Sequence, residues 1–159
     1  MPLIHRVSLD IFADYHQFYL ADGGMKWEIP IDWTDKDIQN GALVTDSVIA
    51  VSPARNMTVP VDIELYDQPQ EIDLQNVDHA FTCSLELPTG HLQVQECAGP
   101  ERCYLTVPNG IYTVHVLFSK LAEISEDGLE GKDQYKILLW PGSRQPLNVL
   151  KQWQGNWRG

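Results

Sequence analysis

Hydrophobic and polar positions alternate with a period of two along most of this chain. Val59, Val61, Ile63 and Leu65 fall on one face of an extended segment, with Asp62 and Glu64 on the other. Phe81, Cys83, Leu85 and Leu87 repeat the pattern up to Pro88-Thr89-Gly90, and Leu92 and Val94 continue it as a return strand. Residues 103–107 and 111–118 flank Pro108-Asn109-Gly110, which predicts a hairpin. Further strands are predicted at Ile4 to Ile11, His16 to Leu20, Val48 to Val51, Tyr135 to Trp140 and Leu147 to Trp153.

One segment departs from this pattern. Thr34-Asp35-Lys36-Asp37-Ile38-Gln39-Asn40-Gly41 has a capping threonine, acidic residues in the first turn and a terminal glycine, which predicts a short helix. About nine strands separated by proline-rich turns, with one helical turn, predict a single all-β domain over residues 1–159. The expected architecture is an antiparallel β-sandwich, with its strand order and its oligomeric state left open.

Charge narrows the function classes. The chain carries 22 acidic against 11 basic side chains, a formal net charge of −11. Such a surface repels phosphates and anionic lipids, so direct nucleic-acid binding and membrane association are not expected. No apolar run of about 18 residues occurs. Acidity favours a basic protein partner, or serves solubility alone; the two readings stand side by side. MPLIHRVSLDIF lacks a secretory apolar run, and the cysteines are Cys83, Cys97 and Cys103. An odd count without a leader predicts a reducing, cytoplasmic setting, and whether Cys97 and Cys103 pair stays open.

Tyr15-His16-Gln17-Phe18, followed by Asp32-Trp33-Thr34-Asp35, Ile38 and Gly41, resembles the competence-protein J family. Thr45-Asp46-Ser47-Val48-Ile49 and Val107-Pro108-Asn109-Gly110-Ile111-Tyr112 are similar to the same family. Its known members inhibit a DNA-uptake nuclease, so the resemblance implies a nuclease inhibitor. The segment Glu126-Asp127-Gly128-Leu129-Glu130-Gly131, with Asp133-Gln134-Tyr135, resembles bacterial immunity proteins that neutralise toxins.

The candidate partner-binding residues are Asp32, Trp33, Asp35 and Asp37 in the first motif, and Glu126, Asp127, Glu130 and Asp133 in a later acidic loop. Trp33 reads either as packing at the helix start or as an interface anchor. The acidic loop reads as a phosphate mimic that enters the basic cleft of a nuclease or toxin. Residues 56–101 contain no lysine or arginine, which creates either a steering field or a solvated face. The rival reading is a calcium- or carbohydrate-binding sandwich, although the spacing of an EF-hand is absent. No catalytic residue, metal site or cofactor is expected. His16, with Asp14 two positions before it, lacks a nucleophile, and no Gly-x-Ser-x-Gly or His-Glu-x-x-His motif occurs. The tail from Trp153 to Trp157 is aromatic without a readable role.

Overall fold

A computed structural model describes residues 3–97 and 101–155, with backbone only for 101–104. The chain forms β1 (Leu3–Phe12), β2 (Phe18–Asp22), α1 (Asp35–Asn40), β3 (Ala42–Val44), β4 (Val48–Val51), β5 (Thr58–Tyr66), β6 (His79–Leu87), β7 (His91–Glu96), β8 (Glu101–Thr106), β9 (Gly110–Ser119), β10 (Gln134–Pro141) and β11 (Asn148–Lys151). Six strands make one sheet in the order β1-β5-β10-β9-β6-β11. Five make the other in the order β3-β4-β2-β7-β8.

Alternation builds the core as expected. Val59, Val61, Ile63 and Leu65 of β5, Phe81, Cys83, Leu85 and Leu87 of β6, and Val114, Val116 and Phe118 of β9 are buried from the first sheet. They meet Phe18, Leu20, Ile49, Val51, Leu92 and Val94 of the second. One apolar layer joining two sheets is a sandwich core.

The all-β class therefore holds, with three corrections of detail. The described residues form eleven strands against about nine expected; the one without a counterpart among the predicted segments is β3, whose three residues are too few to show a period. The sheets are not wholly antiparallel, since β10 lies parallel to β5, with Ile137 opposite Ile63. The two proline-glycine segments are also not hairpin turns within a sheet. At Pro88-Thr89-Gly90 the chain leaves β6 in the first sheet for β7 in the second, and at Pro108-Asn109-Gly110 it returns from β8 to β9. A backbone bond from Gly90 N–H to Leu87 O (3.1 Å) closes the first crossover, and one from Val107 N–H to Gly90 O (2.7 Å) fastens the second crossover to it.

The long edge strand β1 is blunted where its outer N–H groups would invite pairing. The buried Glu96 carboxylate accepts the Phe12 N–H at 2.7 Å. Helix α1 forms as its sequence dictates. The Thr34 side chain accepts the Asp37 N–H, Asp37 accepts the Thr34 N–H at 2.9 Å, and Gly41 closes the helix at φ 81°. A β-carbon at Gly41 would sit 3.1 Å from the His79 ring and 3.2 Å from Phe118, so the position is restricted twice over.

His79 and His115 have their pKa values lowered by burial; a hydrogen bond between His79 Nε2 and Asn40 O (2.6 Å) opposes the shift only in part. Both rings take up a proton more readily in the unfolded chain than in the fold. Unfolding thus gains protons as the solution acidifies, and stability should fall as pH drops below the ordinary histidine value of about 6.5. Urea unfolding at pH 7.5 and pH 5.5 measures the loss. It should shrink when His115 is replaced by glutamine, and an unchanged midpoint would refute the account.

Candidate functional site

Between β1 and β2 the chain turns through Ala13-Asp14-Tyr15-His16. Tyr15 and His16 both take left-handed backbone conformations, at φ 60° and 57°, which side chains with a β-carbon seldom adopt. The turn is held by the His16 N–H, bonded to Ala13 O at 2.9 Å and to Asn56 Oδ1 at 3.0 Å. His16 Nδ1 lies 3.1 Å from Pro53 O. His16 is therefore in a turn, and the strand predicted from His16 begins only at Phe18. The strained turn leaves the Tyr15 ring 69% exposed.

Facing this turn is the loop between the central strands β9 and β10. It is a compact hairpin, closed by a bridge between Ile124 and Gly131. The Ser125 N–H donates to Glu130 O (2.7 Å) and the Gly128 N–H to Ser125 O (2.9 Å). Asp127 Oδ1 accepts the Ser125 hydroxyl (2.6 Å) and the Leu129 N–H (3.0 Å), which lowers its pKa. The hairpin thus presents Glu126, Asp127, Leu129 and Glu130 outward on a hydrogen-bonded frame, with Leu129 54% exposed.

An open groove of about 640 Å³ runs between turn and hairpin. It is lined by His16 and Asn56, by Glu126, Asp127 and Leu129 of the hairpin, and by Trp153. The Trp153 N–H donates to His79 Nδ1 (3.1 Å), and the Gln152 amide donates to Gln39 O of α1 (2.9 Å). The segment after β11 therefore touches both helix α1 and the groove. Trp157 lies outside the described residues.

The expected site residues divide into four groups. Glu126, Asp127 and Glu130 are exposed together on the hairpin. Asp32 and Asp35 are exposed near α1, while the Asp37 carboxylate is engaged in capping. Trp33 is half-buried against Tyr19, Ala21, Val48 and Ala50 on the outer face of the second sheet, and its indole N–H is enclosed without an acceptor among the described residues. Packing is the role these contacts give it. Asp32 lines a separate surface depression with Ile29 and Ile31.

Asp133 is a correction. Its side chain is 0% exposed and cannot present charge to a partner. It pairs with Arg55 Nε at 2.9 Å and accepts the Tyr135 hydroxyl at 2.6 Å. A buried carboxylate needs such compensation, which is why it sits beside a cation instead of in solvent.

The cation-free stretch is also less one-sided than its composition suggests. Glu64 lies 3.5 Å from both Arg6 and Lys136, Glu86 pairs with Arg144 at 2.6 Å, and Asp78 accepts the Leu121 N–H. Cys97 carries a free thiol, and the Cys103 side chain lies outside the described residues. Among the described residues, no three histidine, cysteine or carboxylate side chains converge as metal ligands would.

Sequence reasoning missed Asn56, Leu129 and Trp153, which line the groove with His16, and Arg55, which bonds to Leu129 O of the hairpin. Arg55 was the last cation before the long acidic stretch.

The family described as Competence protein J matches residues 10–139. The crystal structure of ComJ from Bacillus subtilis, an inhibitor of the DNA-degrading activity of NucA, has a TM-score of 0.66 at 19% identity. The match covers 89% of this chain and 98% of that one. A protein described as crocagin biosynthetic gene J has a TM-score of 0.57 at 18% identity, covering 87% and 96%. At these identities the likeness is one of fold. No curated protein matches the chain.

Proposed function

We propose, from the premise that this chain belongs to the competence protein J family, that it inhibits a DNA-degrading nuclease by binding it. A structurally similar protein, ComJ of Bacillus subtilis, is described as an inhibitor of the DNA-degrading activity of NucA. The observation that carries the reading is the groove lined both by His16 of the strained turn and by Glu126 and Asp127 of the acidic hairpin, which also exposes Glu130.

A nuclease must hold phosphates, so its active face is cationic. A rigid loop bearing three exposed carboxylates competes for those cations as DNA would. Tyr15 and Leu129 supply apolar contact beside the charges, the combination that concentrates binding energy in interfaces. The partner is a basic nuclease or nuclease toxin, met in the cytoplasm of the producing cell. The net charge of −11 speeds encounter and disfavours the nucleic acid itself.

The test is inhibition of a basic nuclease from the same genome, with association and dissociation rates measured across salt concentrations. Raising salt from about 50 to 500 mM should slow association by roughly tenfold or more and change dissociation less. A nuclease that binds equally well at both salt concentrations, or is not inhibited at all, would overturn the proposal.

A further inference from the structure

The two walls of the groove belong to distant parts of the chain, yet one buried polar network joins them. Arg55 Nε donates to Asp133 Oδ1 (2.9 Å), and the Tyr135 hydroxyl donates to Asp133 Oδ2 (2.6 Å) while accepting the Ala54 N–H (3.0 Å). Arg55 Nη1 reaches Leu129 O at 3.4 Å, inside the acidic hairpin. On the other side, Pro53 and Asn56 hold His16. Arg55, Asp133 and Tyr135 are all buried. A β-carbon at Gly131 would stand 2.9 Å from Asp133 Oδ1, so the hairpin's return limb passes directly over the carboxylate.

We infer that Arg55, Asp133 and Tyr135 are positioning residues that lock the acidic hairpin against the Tyr15-His16 turn and so hold the groove in its binding shape before a partner arrives. The placement of a full ion pair here, where apolar side chains could have filled the space, fits this role. A buried pair adds little net stability but fixes geometry, since its hydrogen bonds are satisfied in one arrangement. Arginine is required in place of lysine because its planar fork spans two acceptors, Asp133 and Leu129 O, at once. A preset hairpin spares the complex the entropy of ordering a loop during association. The inference rests on the groove being the nuclease-binding surface, but its first consequence concerns the free protein.

Arg55→Lys keeps the charge opposite Asp133 and gives up the reach to Leu129 O. Arg55→Met with Asp133→Leu replaces the pair by apolar groups and guards against a fold weakened by an unpaired charge. Hydrogen exchange at the amides of Gly128, Leu129 and Glu130 in the free protein should quicken by about tenfold in both variants, the loss of one charge-assisted hydrogen bond. Exchange in β6 and β9 and the melting temperature of the Arg55→Lys variant should hold. Inhibition should weaken by a similar factor.

Unchanged exchange in the hairpin would overturn the lock, whatever happens to inhibition. Faster exchange with undiminished inhibition would leave the lock standing and would count against the hairpin as the nuclease contact. Equal quickening throughout the sandwich would mean that the network serves global stability only, and would also overturn the inference.

Discussion

Inhibition is expected to be lost when Glu126→Lys, Asp127→Asn and Glu130→Lys are combined. Asparagine is chosen at 127 because its side-chain oxygen can still accept from Ser125 and from the Leu129 N–H, which hold the hairpin. Lysine there would break the turn and confound the result. The two glutamates are exposed, and the hydrogen-bonded frame of the loop runs through Ser125, Asp127 and the backbone. Stability should therefore change by less than about 0.5 kcal/mol.

Binding should respond very differently. Each carboxylate that meets a cation at the edge of a desolvated contact contributes on the order of tenfold in affinity, and two are turned into repulsive groups. The combined loss should reach about a thousandfold or more. Titration of a basic nuclease in a DNA-degradation assay measures it. A control set, Asp67→Lys, Glu71→Lys and Asp73→Asn, makes the same change of charge on exposed carboxylates of another loop and keeps the acceptor that residue 73 offers the Gln75 N–H. It should lose only long-range steering, a few-fold at low salt and nothing at high salt. Equal effects from both sets would mean that net charge and not the hairpin governs binding.

Asp133→Ala should produce the largest loss of stability of any single carboxylate substitution in the described residues. It strands the Arg55 guanidinium in the interior and removes the acceptor of the Tyr135 hydroxyl, whose own pKa is raised well above its ordinary value first by burial and then by the Asp133 charge. An uncompensated buried charge costs about 3–5 kcal/mol. For a domain of this size that lowers the melting temperature by roughly 10 °C. Thermal unfolding by circular dichroism checks it. A shift below about 2 °C would show that the pair is solvated in solution, and the network would lose its standing as an internal tie.

These two expectations separate residues that the sequence presents alike. Glu130 and Asp133 stand three positions apart in one acidic run. One is an exposed side chain on the hairpin, and the other is the buried counter-ion of Arg55. Nothing local distinguishes them, because the partner that decides the matter is 78 residues away.

Much else was legible. The faces of β5 and β6 follow from alternation, since a strand half-immersed in an apolar layer can bury only every second side chain. Helix α1 was equally legible, because its cap, its first-turn acids and its terminal glycine act within eight residues. The matched motifs gave the family. Pairing was another matter. The same proline-glycine segments that read as hairpins carry the chain from one sheet to the other, and β10 settles parallel to β5 across some seventy residues of intervening chain.

The sequence by itself thus determined the all-β class, the buried faces, the short helix and the excess of negative charge, all properties set by neighbours along the chain. Only the tertiary structure decided which strands adjoin, that Asp133 is withdrawn from solvent, and that the Tyr15-His16 turn and the acidic hairpin share a groove. Those outcomes depend on contacts between segments far apart in the chain, where the competition among alternative pairings is resolved by packing the whole core at once.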